Sequence, residues 1–187
     1  MADKRQRLRD IIAAKSLLSG SFTLASGKPS GYFFDMKKTM FDPEGASLVG
    51  ELLCDLLAGD SETKAVGGLE MGAVPIAAAA SAVSALTDSP VHAFFVRKQP
   101  KEHGAKLLIE GLMKGESLEG KRVAVIEDVT TTGGSAMKAV EAAKDAGAEV
   151  ALVFTMVDRQ EGATENFQQA GIKFVSLFTA DEFLRGS

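Results

Sequence analysis

The sequence predicts an α/β fold, with a mainly parallel sheet, helices on both of its faces, and a small N-terminal hood subdomain. Short apolar runs alternate with helical patterns from about residue 41 onward, an order typical of parallel sheets that are covered by helices. The first 40 or so residues break this alternation and form the hood. At 187 residues, without an internal repeat or a linker-like stretch, the chain is expected to be a single domain with a substantial core.

The hood is predicted to contain one helix and a hairpin. An amphipathic pattern over residues 4–18 indicates the helix, and Gly20 closes it. Two extended runs then flank residues 27–31, whose glycine- and proline-containing composition is typical of a turn. The core begins with a second helix at residues 42–44, where an aspartate caps the helix and a proline fits its first turn, and this helix ends before Gly59.

The rest of the core is predicted to alternate strands with helices. The strands cover residues 65–69, 91–96, 123–126, 149–157 and 173–178, and the helices cover residues 74–86, 136–146 and 164–170. A long connection at 97–120 interrupts them, and its part at 97–115 is expected to be a mobile lid. Ligands of such sheets bind beyond the carboxyl ends of the strands. Glycine-rich or charged segments follow four of these strand ends, and we expect them to converge on one site. These segments are 68–72, 97–103, 127–134 and 158–161.

Composition and charge exclude several classes of partner. The net charge of −4 gives the chain no general attraction to nucleic acid or to an anionic membrane, so we expect small-molecule substrates. The longest apolar stretch, residues 73–85, is too short to span a bilayer, and the charged N-terminus lacks the apolar core of a signal peptide. The single cysteine, Cys54, excludes an intrachain disulfide and fits a reducing compartment. These features predict a cytoplasmic protein.

Residues 127–135 have the composition of a site for a phosphorylated sugar. They bring two acids, three threonines and two glycines between an apolar run and a helix. Glycines let backbone N–H groups come close to a ligand, and a helix N-terminus favours an anion. The acids can accept hydrogen bonds from ribose hydroxyls or lie near Mg²⁺. The simpler alternative is an ordinary turn with a helix cap. The candidate ligands are Glu127, Asp128, Val129, Thr130, Thr131, Thr132, Gly133, Gly134 and Ser135.

Four candidate cations lie close together in the long connection, namely Arg97, Lys98, Lys101 and His103. On a lid, they can neutralise a pyrophosphate group as its charge develops and can help to exclude water. The alternative is a solvated surface without a ligand. The glycines at 67–72 are a candidate second anion cradle, or a tight turn that only connects two elements.

The segment at 121–135 resembles the phosphoribosyl-pyrophosphate (PRPP) signature of the type I phosphoribosyltransferases. Three further motifs resemble the orotate phosphoribosyltransferases in particular: F-T-L-x-S-G at 22–27, R-K-x-x-K-x-H-G at 97–104 and D-R-x-E at 158–161. The resemblance implies the fold of the type I family. It also implies transfer of the 5-phosphoribosyl group from PRPP to orotate in de novo pyrimidine biosynthesis, giving orotidine 5′-monophosphate and pyrophosphate.

A cofactor, a partner and site residues are also implied by the resemblance. Mg²⁺ is expected to be held mainly by PRPP, with Asp128 reaching it through water rather than as a direct ligand. The partner is a second copy of the chain, whose lid covers the neighbouring site, so that Lys98, Lys101 and His103 act across a homodimer interface. The residues implied in catalysis are Lys101, His103, Arg97, Lys98 and Asp128, and those implied in orotate binding are Thr131, Arg159, Phe33, Phe34 and Lys28.

The orotate assignment agrees with the chemistry of these side chains. A guanidinium can grip the orotate carboxylate in a bidentate pair, and a flat ring suits an aromatic wall. For Arg159 the alternative is an ion pair with Asp158 or Glu161. Phe33 and Phe34 are strand neighbours that face opposite ways, so one of them is expected to lie in the core.

The chain departs from the family pattern at two positions. Ala25 stands where some members have a lysine, which Lys28 is a candidate to replace, and residues 70–72 lack a lysine that others have in the pyrophosphate loop. The departures concern the number of cations at the pyrophosphate and not the fold. Two other functions stay open. One is a phosphoribosyltransferase for another base, and the other is a PRPP-binding regulatory protein without catalysis.

Overall fold

The computed structural model describes residues 2–23, 27–99 and 108–185. The strands are β1 (Leu17–Thr23), β2 (Pro29–Phe34), β3 (Thr63–Leu69), β4 (His92–Val96), β5 (Ile109–Glu110), β6 (Arg122–Thr130), β7 (Glu149–Asp158) and β8 (Phe174–Thr179). The helices are α1 (Ala2–Lys15), α2 (Lys37–Met40), α3 (Pro43–Leu57), α4 (Ala73–Ser84), α5 (Gly134–Asp145), α6 (Ala163–Gln169) and α7 (Asp181–Leu184).

The main sheet has six strands in the order β5-β4-β3-β6-β7-β8. All neighbouring strands are parallel except β5, which pairs antiparallel with β4. Different helices cover its two faces, because successive residues of a strand point to opposite sides. Ile126 belongs to the same buried cluster as Leu53 of α3 and Ile76 of α4 on one face, and Val125 belongs to the cluster of Val140 of α5 on the other. The predicted α/β class is confirmed.

The hood consists of α1, the hairpin β1–β2 and α2. The hairpin forms a separate two-stranded antiparallel sheet. Its core is nevertheless shared with the main sheet, since Leu8 and Ile12 of α1 and Phe34 of β2 belong to the same buried cluster as Ile126. The hood is therefore fixed on the sheet by apolar packing, which places the hairpin where it can reach residues of the core.

Most boundaries differ from the prediction by one or two residues, and two differ in a way that matters for the hood or the site. β1 already begins at Leu17, where the helical pattern was expected to continue through residue 18. β6 runs through Thr130 instead of ending at Ile126, because Val129 and Thr130 continue the pairing with β7, opposite Val157 and Asp158. β-branched residues favour such an extension. As a result, the two acids of the predicted site lie on a strand and not in a turn.

Three short elements were not predicted: α2 and α7 have four residues each, and β5 has two. Segments of this length are too short to show a helical or alternating period. Within the described part of the chain, none of the helices combines the length and apolar character that crossing a membrane would require.

Candidate active site

The carboxyl ends of β3, β4, β6 and β7 meet at one edge of the main sheet. Just after β3, the Glu70 N–H donates to the carbonyl oxygen of Val96 at the end of β4 (2.8 Å). Just after β7, the Arg159 N–H donates to the carbonyl oxygen of Thr130 at the end of β6 (2.9 Å). The four predicted segments therefore meet here, as far as the structure describes them.

Two adjacent carboxyl groups lie near the end of β6. Glu127 is 8% exposed, and its Oε2 atom is buried without a hydrogen-bond partner among the described residues. Asp128 Oδ1 accepts a hydrogen bond from the Val129 N–H (2.9 Å). Gly72, which follows β3, lies against this group, because a Cβ atom at Gly72 would be 2.4 Å from Asp128 Oδ1. The absence of a side chain at Gly72 therefore leaves room for the Asp128 carboxylate.

Both acids have raised pKa values. Burial, followed by the charge of Asp128, raises the pKa of Glu127 to about 8, while the Lys98 ammonium opposes the shift. Burial also raises the pKa of Asp128, against the hydrogen bond from Val129 and the charge of Lys37. Two neighbouring carboxylates cannot both ionise easily. At neutral pH the pair therefore holds a proton, mainly on Glu127.

The parent is expected to lose stability as the pH rises from about 4.5 to 8, and we expect Glu127→Gln to abolish this loss. Because the folded-state pKa lies above the ordinary value, the folded chain keeps a proton that the unfolded chain has lost, and the free energy of unfolding falls across this window. At high pH the variant should be more stable by up to roughly 5 kcal/mol, since the pKa of Glu127 is raised from 4.5 to about 8 and one pKa unit corresponds to about 1.4 kcal/mol.

Urea unfolding of both proteins, from acidic to alkaline pH, measures this difference. Glu141→Gln, which removes an exposed carboxylate on α5, is the matched control and should follow the parent. An equally steep decline in the Glu127→Gln variant would show that Glu127 is not the group that titrates.

The predicted phosphate segment contains the end of β6, a turn and the start of α5. The side chain of Thr130 is buried, and its hydroxyl has no hydrogen-bond partner among the described residues. The exposed members are Thr132, Gly134 and Ser135, and the half-buried ones are Asp128, Val129 and Thr131. The first N–H groups of a helix lack partners within the helix. The start of α5 can therefore offer its N–H groups to an anion.

Gly133 is the residue that makes this turn possible. It precedes α5 with φ +85°, a left-handed conformation that suits glycine. The ring of Phe167 in α6 fills the space on its other side, since a Cβ at Gly133 would be 2.7 Å from the ring. The turn therefore packs closely against α6.

Arg97 and Lys98 are held by their own chain. Arg97 Nη1 donates to Glu110 Oε1 (3.0 Å), and the Lys98 backbone N–H donates to Glu70 Oε1 (2.9 Å). The Lys98 ammonium also lowers the pKa of Glu127 in the same chain. The pairing of β4 with β3 thus brings Lys98 to the site of its own chain, and the expectation that Lys98 acts across a dimer interface stays a prediction. Lys101 and His103 lie outside the described residues.

Arg159 is buried at the end of β7, with a side chain that is 4% exposed. Its Nε donates to Glu161 Oε1 (2.8 Å), and its Nη2 donates to the hydroxyl of Ser30 in the hairpin (3.0 Å). The guanidinium carbon lies 4.2 Å from the centre of the Tyr32 ring. The ion pair with Glu161 therefore exists. A guanidinium has five N–H donors, so these two bonds leave donors for a ligand carboxylate.

The aromatic residues of β2 divide between core and surface. Phe34 is 3% exposed and packs against Phe183, with ring centres 5.3 Å apart. Phe33 is 38% exposed and lies near Phe22. The prediction that one of the pair lies in the core is confirmed, and Phe34 is corrected from a candidate orotate ligand to a core residue. Tyr32, which alternates with Phe33 along β2, is the ring beside Arg159.

Lys28 is exposed and lies just before β2, in the same hairpin as Ser30. Its position keeps it on the hood side of the site.

Three residues near the site were not singled out from the sequence. Ser30 contacts Arg159, as described above; Lys37 acts electrostatically on Asp128; and the Asn166 side chain donates from Nδ2 to the carbonyl oxygen of Thr132 (2.9 Å). Each contact joins segments that are far apart in the chain. No local pattern of residues signals such contacts, so only the folded arrangement reveals them.

Comparisons with known proteins agree with this geometry. A family model described as a phosphoribosyl transferase domain matches residues 40–181. The orotate phosphoribosyltransferase of Rhodopseudomonas palustris (strain BisB5) is 60% identical over 180 residues, which cover 96% of each chain. The crystal structure of Mycobacterium tuberculosis orotate phosphoribosyltransferase with Fe(III) dicitrate matches with a TM-score of 0.83 and 36% identity, covering 97% of this chain and 99% of that chain. Its complex with PRPP matches with a TM-score of 0.78 and 34% identity, covering 96% and 98%.

Proposed function

The chain belongs to the orotate phosphoribosyltransferase family, and we propose that the strand-end site described above carries out the reaction of that family. The chain is a pentosyltransferase of pyrimidine biosynthesis that transfers the 5-phosphoribosyl group of PRPP to orotate, giving orotidine 5′-monophosphate and pyrophosphate. The bond from ribose C1 to a pyrophosphate oxygen breaks, and C1 bonds to a ring nitrogen of orotate, which loses its proton. The observation that carries the proposed site is the meeting of the acid pair, the turn before α5 and Arg159 at one edge of the sheet.

The phosphoribosyl group is assigned to the end of β6 and the start of α5. The N–H groups of residues 131–135 and the exposed hydroxyls of Thr132 and Ser135 suit the 5′-phosphate. Glu127 and Asp128 precede this segment on β6 and are assigned to the ribose, because carboxyl oxygens can accept hydrogen bonds from its hydroxyls. Gly72 supports this assignment, because its lack of a side chain admits the Asp128 carboxylate.

Mg²⁺ is the proposed cofactor. Among the described residues, no three His, Cys, Asp or Glu side chains are grouped as a metal site, whereas the acid pair offers oxygen atoms, one of them buried without a partner. Magnesium commonly keeps several waters and is shared between one or two carboxylates and substrate phosphates. The donor set fits that mode, with Asp128 the residue to hold hydrated Mg²⁺ together with PRPP. When bound, the ion would neutralise charge on the pyrophosphate.

Orotate is assigned to the space beside Arg159 and the hairpin. The remaining N–H donors of Arg159 suit the orotate carboxylate, and Thr131 follows the strand whose Thr130 carbonyl binds the Arg159 N–H. Because the Arg159 side chain is nearly buried, a carboxylate bound there would be largely removed from water, which strengthens the pair. Phe33 and Lys28 remain candidate contacts from the hairpin.

The remaining cations are assigned to the pyrophosphate, in a homodimer in which the lid at 97–115 covers the neighbouring site. Lys98 serves the site of its own chain, supported by its effect on Glu127. Lys101 and His103 act in the partner's site, and Arg97 anchors the lid through Glu110. A single cysteine and a net charge of −4 support a cytoplasmic location without nucleic-acid or membrane partners.

Pyrophosphate release, measured with PRPP, Mg²⁺ and one base at a time, tests which base the site accepts. Orotate is expected to support turnover, and uracil to support at least about 10²-fold less, because it lacks the carboxylate and leaves the buried donors of Arg159 unpaired. Adenine and hypoxanthine are the purine controls. Turnover with a purine alone would exclude the orotate assignment, and PRPP binding without turnover on any base would favour the regulatory alternative.

A further inference from the structure

Helix α6 contacts the turn before α5 at two consecutive residues. Asn166 Nδ2 donates a hydrogen bond to the carbonyl oxygen of Thr132 (2.9 Å). The ring of the next residue, Phe167, packs against the backbone of Gly133. Phe167 is fully buried and stacks on Phe174 of β8, with ring centres 4.8 Å apart. The helix is therefore a fixed support, and its two contacts fall on the two residues that precede α5.

The bond from Asn166 sets the orientation of a whole peptide group. A trans peptide is planar, and its C=O and N–H point in opposite directions. Holding the Thr132 carbonyl toward α6 therefore directs the N–H of Gly133, which belongs to the same peptide group, away from α6. Gly133 has φ +85°, and glycine can adopt this conformation and several others about equally well. Glycine alone does not fix this orientation, whereas the Asn166 amide does.

Asn166 also links the two halves of the site along the chain. The segment between β7 and α6 carries Arg159, whose N–H binds the Thr130 carbonyl at the end of β6. Seven residues after Arg159, Asn166 binds the carbonyl of Thr132, at the other end of the same stretch. The segment thus holds residues 130–133 at both ends.

We propose that Asn166 is a positioning residue for the 5′-phosphate, and that it acts by holding the Thr132–Gly133 peptide in the orientation that presents the Gly133 N–H to the anion. This inference rests on the proposed function, which assigns the 5′-phosphate to the turn. Asn166 itself does not contact the substrate. Its role is to pre-organise a donor, which saves the cost of ordering the turn when the ligand binds.

Two variants test the role. Asn166→Ala removes the amide, and Asn166→Asp keeps its shape but replaces the N–H donor with an acceptor that repels the Thr132 carbonyl. Both should weaken binding of ribose 5-phosphate by about 5- to 10-fold, the effect of one hydrogen bond of about 1 kcal/mol. Isothermal titration calorimetry measures this affinity. In turnover, KM for PRPP should rise by a similar factor while kcat at saturating PRPP stays within about twofold, since uniform binding is lost.

The phosphate dependence separates this role from a general structural one. Discrimination between orotidine 5′-monophosphate and orotidine, which lacks the phosphate, should shrink in both variants, while orotidine itself binds as to the parent. Gln169→Ala, at an exposed amide on the same helix, is the control and should change neither affinity. Parental affinity for ribose 5-phosphate in both Asn166 variants would overturn this inference alone. If the parent itself does not bind ribose 5-phosphate, the phosphate site and this inference both fall.

Discussion

A heterodimer of one Lys101→Ala subunit and one Asp128→Asn subunit is expected to keep about half of the parental turnover, although each variant alone is nearly inactive. If the lid serves the neighbouring site, both substitutions fall in one site of the heterodimer and the other site is intact. Alone, Lys101→Ala should lower kcat by about 10²-fold, more than it weakens binding, because the lid acts on charge that develops during the reaction. Asp128→Asn should lower kcat by a similar factor, because it weakens the hydrogen bonds assigned to the ribose hydroxyls.

The heterodimer can be isolated by placing a different affinity tag on each subunit. Lys173→Ala, at an exposed lysine just before β8 and thus at the opposite edge of the sheet, is the matched control for loss of a lysine. It should leave turnover unchanged alone and in a heterodimer. A Lys101/Asp128 heterodimer as inactive as its parents would place Lys101 in the site of its own chain.

Arg159→Ala is expected to lower kcat/KM for orotate by about 10²- to 10³-fold while KM for PRPP changes by less than about threefold. The substitution removes the guanidinium assigned to the carboxylate and leaves Glu161 and Ser30 without their partner. Arg159→Lys keeps the charge but loses the planar fork, so it should recover only a small part of the loss. Steady-state kinetics with each substrate varied in turn measures both effects.

Glu161→Gln is the control for the ion pair of Arg159. It weakens the contact at Nε but keeps the guanidinium, so kcat/KM for orotate should fall by less than about tenfold. Comparison of melting temperatures separates loss of folding from loss of binding. Arg159→Ala with nearly parental efficiency for orotate would show that the carboxylate is bound elsewhere.

The general layout of the fold and of the site could be predicted from the sequence because both follow local rules. Alternation of apolar runs and helical patterns predicted the parallel sheet, and the position of Glu127 and Asp128 after an apolar run predicted that they lie at a strand end. The spacing of strands and turns also predicted that Arg159 lies near the same edge. These inferences need only the periodicity of apolar residues along the chain and the rule that ligands bind beyond the carboxyl ends of parallel strands.

The contacts that complete the site could not be predicted, because they depend on how distant segments pack. Ser30 and Arg159 are separated by 129 positions, and their meeting depends on the hood sharing its core with the main sheet. Phe33 and Phe34 have the same side-chain type, so their alternation predicts that one is buried but not which one. The extension of β6 to Thr130 likewise depends on pairing with β7.

A crystal structure with bound orotidine 5′-monophosphate tests the central claim most directly. We expect the phosphate within hydrogen-bonding distance of N–H groups between residues 131 and 135, the ribose hydroxyls at Glu127 and Asp128, and the base carboxylate at Arg159. A nucleotide bound at another edge of the sheet, with the turn before α5 free of ligand, would contradict the account.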